Sequence, residues 1–93
     1  MEEIVQIEPK SDLTVNVVWS DGRVALVDFA PIIDRSPVFS AMRDPEFFVH
    51  EAKITHTGSA LAWSEVLEFS SDGLRYDAFP EEYRRDFRDA AAE

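Results

Sequence analysis

The chain has 93 residues, with 19 acidic and 9 basic side chains and a formal net charge of -10 at neutral pH. It has no cysteine, which excludes a disulfide scaffold, a zinc ribbon and a thiol enzyme. No run approaches the roughly 18 apolar residues of a membrane span, and the acidic balance opposes the basic face that nucleic-acid phosphates need.

A hydrophobic content of 45% fits a globular domain rather than an acidic tail. Seven Phe, two Trp and two Tyr supply the volume for one core. The first residues lack a basic start and an apolar run, so no secretory signal is read. The absence of cysteine fits a reducing compartment. The negative charge favours encounters with basic partners.

In chain order, residues 4–8 read as a short strand, and Pro9 to Asp12 as a turn. Residues 13–19 alternate: Leu13, Val15, Val17 and Trp19 share one face. Asp21-Gly22 follows with hairpin chemistry, because glycine accepts positive φ. Arg23 to Phe29 is the return strand, antiparallel to the last. Ile32 to Arg35, bracketed by Pro31 and Pro37, reads as a surface crossing.

Ser36-Pro37 and Asp44-Pro45 each pair a capping side chain with a first-turn proline. They predict two short helices, with Val38, Phe39 and Met42 as the apolar face of the first. Alternation returns over 51–56, Gly58-Ser59 marks a turn, and Ala60 to Trp63 reads as a strand. Val66, Leu67 and Phe69 read as a further short strand, with Ser64-Glu65 as a bulge. Ser71-Asp72-Gly73 reads as a closing turn. Pro80 to Ala92 is a helix with Glu81 and Glu82 at its positive end. Tyr83, Phe87, Ala90 and Ala91 make its narrow apolar stripe. Glu81–Arg85 and Arg85–Asp89 are spaced to pair along its surface.

Several pieces together resemble a known family. They are Glu8-Pro9, Trp19-Ser20-Asp21-Gly22, Val27-Asp28 before Pro31, and Pro37-Val38-Phe39. Arg43-Asp44-Pro45, Phe47-Phe48, Trp63, and Ser71-Asp72 with Leu74 and Tyr76 complete the set. Over residues 3–77 the chain resembles DUF2442, small bacterial domains of unknown function. The resemblance implies a cytoplasmic α+β domain without established activity. It also implies a gene neighbour, a DUF4160-like protein, in an arrangement similar to a toxin–antitoxin pair. Some relatives carry a helix-turn-helix segment after the domain. Residues 78–93 are too short for two helices and a turn, so that route to DNA is not expected here.

Candidate chemistry is sparse. His50 and His56 would share a face if 50–56 were one strand, but zinc needs two more ligands and only carboxylates are at hand. Thr55 to Ser59 sets hydroxyls beside a histidine, yet no G-x-S-x-G occurs, and a turn explains Gly58-Ser59. Asp28 and Asp72 read as carboxylates accepting backbone N–H bonds where the chain turns. Trp19 and Trp63 read as core before ligand platform. Arg84, Arg85 and Arg88 sit among acids that cancel their field. No catalytic residue, cofactor or metal is assigned.

The expected fold is therefore α+β: an antiparallel sheet of about five strands, the helices of 36–48 on one side, and a C-terminal helix. Residues 1–77 form the domain and 78–93 an extension. The expected function is a non-enzymatic protein–protein interaction module, the regulatory or neutralising half of a gene pair. Tyr83 and Phe87, one turn apart, are the candidate anchors. A small enzyme would instead need convergent polar residues in a pocket. A transcription-related regulator would have to act through a partner. Exposed sheet edges also allow a homodimer.

Overall fold

The computed structural model describes residues 2–92, with side chains as far as Asp86. β1 (Ile4–Pro9), β2 (Thr14–Trp19) and β3 (Val24–Asp28) form an antiparallel meander. Its inner face follows the predicted alternation: Val15, Val17 and Trp19 are fully buried. The register pairs Val17 with Ala25 and Val15 with Val27. Asp21-Gly22 is the hairpin tip, with Gly22 at φ +89° and its N–H donating to the Trp19 carbonyl.

Asp28 ends β3 as expected of a turn carboxylate, its Oδ1 accepting from the Ala30 N–H at 3.0 Å. The next segment differs from the predicted surface crossing. It is α1 (Ala30–Ile33), and Ile32 and Ile33 are buried. The Pro at its start fixes φ, and two adjacent apolar side chains then face the core.

Both cap-and-proline signals hold. Ser36 Oγ accepts from Val38 N at 3.3 Å and opens a 3₁₀ helix over Pro37–Arg43. Asp44 Oδ1 accepts from Glu46 N at 3.0 Å and opens α2 (Pro45–Glu51). Val38 is exposed, because the tighter 3₁₀ winding turns it away from Met42.

β4 (Lys53–Thr55), β5 (Ala60–Ser64) and β6 (Leu67–Ser70) form a second meander. Ser64-Glu65 is not a bulge between strands: Glu65-Val66 is the turn between β5 and β6. The expected single sheet of about five strands is thus two sheets of three. The physical reason lies in residues 30–51. Their helices carry the chain away from the edge of β3, so β4 finds its partner in β5. The helices of 36–48 consequently do not cover one face of a continuous sheet.

α3 (Ser71–Ala78) and α4 (Pro80–Ala92) follow. α3 replaces the turn predicted at Ser71-Asp72-Gly73. Ser70 is its cap, its Oγ accepting from Gly73 N at 2.9 Å, and Asp72 sits in the first helical turn rather than in an Asx-turn. Phe29 joins the two halves of the core. Its ring meets Phe48, Trp63 and Phe69 edge-on at centroid distances of 5.8, 5.1 and 5.3 Å. No helix among the described residues is long and apolar enough to cross a membrane.

Candidate functional site

Helical spacing gives α3 two working faces. Arg75, Tyr76 and Phe79, the residue that caps the helix, look toward the β2–β3 hairpin and α4. Leu74, Asp77 and Ala78 look toward α1 and the edges of β3 and β6.

The first face holds a charge cluster centred on Arg75, which is 8% exposed. Its Nη1 and Nη2 donate to Asp21 Oδ1 and Oδ2 at 3.0 and 2.6 Å. Its Nε donates to Glu82 Oε1 at 2.9 Å. The guanidinium also lies 5.3 Å from the centroids of both Trp19 and Phe79. A planar fork with apolar faces suits arginine and not lysine.

Glu82 is 7% exposed. Arg23 Nη1 approaches its Oε2 at 3.4 Å, a charge contact without hydrogen-bond geometry, and among the described residues that oxygen accepts no hydrogen bond. Arg23 also stacks over Phe79 at 3.9 Å. The double hydrogen bond from Arg75 holds the Asp21 carboxyl well down, to about 2. The same bond, with help from Glu82, raises the Arg75 guanidinium further above the usual arginine range. Nearby, the Tyr76 hydroxyl donates to Asp86 Oδ2 at 2.9 Å and lowers that carboxyl, while its own ionisation is pushed up.

This arrangement fastens three elements together: the hairpin tip, α3 and the start of α4. Its donors and acceptors are turned on one another, which is what a structural clamp needs.

The second face of α3 borders two adjoining concavities of about 380 and 240 Å³. They share Ile32, Arg35 and Asp77, and so lie side by side along the helix, a pair of hollows called the channel. Leu26 and Asp28 of β3 stand at one end, Phe69 and Ser70 of β6 at the other.

Tyr83 is 51% exposed on α4, with its ring edge-on to Tyr76 at 5.4 Å. The Phe87 side chain lies outside the described residues, as do those of Arg88, Asp89, Ala90 and Ala91. Arg85 does not form the pair expected with Glu81. Its Nε bonds the adjacent Asp86 at 3.0 Å and its Nη2 lies 3.9 Å from Glu82. Glu82 draws it across the helix.

The histidines do not share a strand. His50 is on α2, 3.5 Å from Glu46, and His56 follows β4, 3.3 Å from Glu68. Among the described residues no three metal-ligating side chains gather. Both tryptophans are core: Nε1 of Trp19 donates to the Ser71 carbonyl at 3.4 Å, that of Trp63 to the Phe48 carbonyl at 2.8 Å.

The sequence reading missed the Arg75 cluster. One signal was present: Arg75 is the only Lys or Arg between Lys53 and Arg84, set between apolar Leu74 and aromatic Tyr76. A lone cation in such surroundings needs carboxylate partners.

The chain belongs to the DUF2442 family of proteins of unknown function, whose model matches residues 4–80. No curated protein matches the sequence. A crystal structure described as that of a putative DNA binding protein from Nitrosomonas europaea is similar, with a TM-score of 0.76 at 23% identity. The match covers 88% of this chain and 52% of that one, so this chain spans about half of that protein. At this identity the likeness is one of fold.

Proposed function

We propose that this domain is a non-enzymatic protein–protein interaction module for a basic protein partner. It acts as the regulatory or neutralising half of a toxin–antitoxin-like gene pair, with a DUF4160-like protein as the other half. Residues 78–93 are its helical extension, and Tyr83 and Phe87 contribute contacts.

One observation supports this reading above the others: the way the charges are distributed. Arg75 and Arg23 are turned inward on Asp21 and Glu82, Arg43 holds Asp34, and Arg85 holds Asp86. Exposed Glu51, Glu65, Asp77 and Glu81 have no such partner among the described residues. The surface potential left over is negative, which speeds encounter with a basic protein and repels phosphate.

The test is co-expression with the basic DUF4160-like neighbour, followed by size-exclusion chromatography at rising salt. Co-elution at low ionic strength that is lost at high salt is expected. Separate elution at low salt overturns the proposal.

The Nitrosomonas protein is described as DNA binding, and with the acidic surface of this chain that suggests a second reading, a transcription-related regulator that reaches DNA through a partner. A mobility shift that needs both the partner and this chain distinguishes it from simple neutralisation.

A further inference from the structure

We propose that the channel between α1 and α3 is the docking site for an extended segment of a partner protein in which apolar and basic residues alternate. This deepens the interaction-module reading and rests on it.

The channel has three properties that fit such a segment. First, both of its ends are sheet edges. Among the described residues β3 pairs only with β2, and β6 only with β5. The outward backbone groups of β3 make no hydrogen bond to another element among the described residues. A free edge beside a groove is the setting for strand addition, in which main-chain bonds give affinity and side-chain pockets give specificity.

Second, its floor is apolar. Ile32 and Leu74 are buried beneath it and Phe69 is half-buried, while Leu26 stands 60% exposed at its mouth. An exposed leucine beside apolar lining is surface that a partner's side chain can cover.

Third, its charge is lopsided. Asp28, Asp77 and Glu68 line it against the single guanidinium of Arg35. Asp28 commits Oδ1 to the Ala30 N–H, and Glu68 faces His56. The side chains of Asp77 and Arg35 have neither a hydrogen bond nor an ion pair among the described residues. A lysine or arginine laid along Leu26 and Ala78 would bring its head to Asp28 and Asp77, its stem covering apolar surface.

The same carboxylates argue against other occupants. A nucleic acid would bring phosphates to an acidic channel. A second copy of the chain would bring its own acidic rim to this one.

The experiment pans a displayed random-peptide library on the full chain and measures the selected peptides, made synthetically, by fluorescence anisotropy. Selected peptides should alternate apolar residues with Lys or Arg. Asp77→Lys should weaken them about tenfold and Leu26→Ser several-fold, whereas Glu65→Lys, outside the channel, should change binding by less than about twofold. All three positions are exposed, and unchanged melting curves verify folding. Failure to select any peptide, or equal loss in Asp77→Lys and Glu65→Lys, overturns the proposal. So does tighter binding of a DNA duplex than of the peptides. If the DUF4160-like protein co-elutes equally with wild type and Asp77→Lys, the channel falls while the interaction-module reading stands.

Discussion

Arg75 and Asp21, 54 positions apart in the chain, meet through two parallel hydrogen bonds of 3.0 and 2.6 Å. The contact ties the hairpin tip to α3, and Glu82 extends it to α4. Breaking it from the arginine side is costly, because Arg75 and Glu82 are held away from water while the Asp21 side chain keeps about a third of its surface exposed. Arg75→Ala leaves Glu82 buried with only the charge contact of Arg23 at 3.4 Å and the exposed Arg85 at 3.9 Å. Urea unfolding should show a loss of about 3 kcal/mol. Arg75→Met combined with Glu82→Gln should recover part of it, since no buried charge is then left over.

Acid should act on the same pair. Asp21 has its carboxyl lowered to about 2 by Arg75, below its unfolded range near 3.8. A lowered folded-state value means that the carboxylate's contribution is complete above the unfolded value. It is lost as pH falls through the folded one. Wild-type stability should therefore decline between about pH 4 and pH 2, and Asp21→Asn should be less stable at neutral pH but flatter across that window. Melting temperatures over pH 2–5 check this. Asp12 and Asp86, lowered by Thr14 and Tyr76, add slopes of the same sign that Asp21→Asn leaves in place.

The two glycines in turns separate conformational cost from crowding. Gly22 has φ +89° and nothing within 4 Å of a Cβ built on it, whereas Gly58 has φ +101° and would bring its Cβ to 2.8 Å from the Ile4 carbonyl oxygen. Gly22→Ala should cost about 1 kcal/mol, the left-handed conformation alone. Gly58→Ala should cost about 2–4 kcal/mol, because the strand start of β1 must also move. Paired denaturation curves give the comparison.

The hairpins, the caps and the core were readable because their causes are local. Alternation buries Val15, Val17 and Trp19, Asp21-Gly22 permits the turn, and Ser36 and Asp44 bond backbone groups two residues away. The division into two sheets was not readable. It depends on where β4 finds a partner, and no local pattern distinguishes β5 from β3 as that partner. α3 was hidden because Gly73, a poor helix former, stands in its first turns, and Ser70 caps a segment whose burial comes from distant elements. The Arg75 cluster was hidden for a related reason, since its three members are brought together only by the fold. The channel along α3 inherits both omissions.

The start of α4 divides by role within a few residues. Phe79, just before it, meets Trp19 edge-on at 6.0 Å and lies under Arg23, and Glu82 closes the charge cluster. Tyr83 points elsewhere and is half exposed, against Tyr76. Deleting 79–93 should therefore destabilise the domain, since it removes an aromatic contact and leaves Arg75 with only Asp21. Tyr83→Ala should lose at least the ring contact with Tyr76, about 0.5–1.5 kcal/mol. If α4 also contributes to partner binding, Tyr83→Ala should weaken association with the DUF4160-like protein by more than that stability change accounts for, while melting remains cooperative. Unchanged association in a folded Tyr83→Ala protein would remove α4 from the interface. Melting curves and anisotropy on the same variant supply both readings, and a Tyr83→Phe control separates the contribution of the ring from that of the hydroxyl.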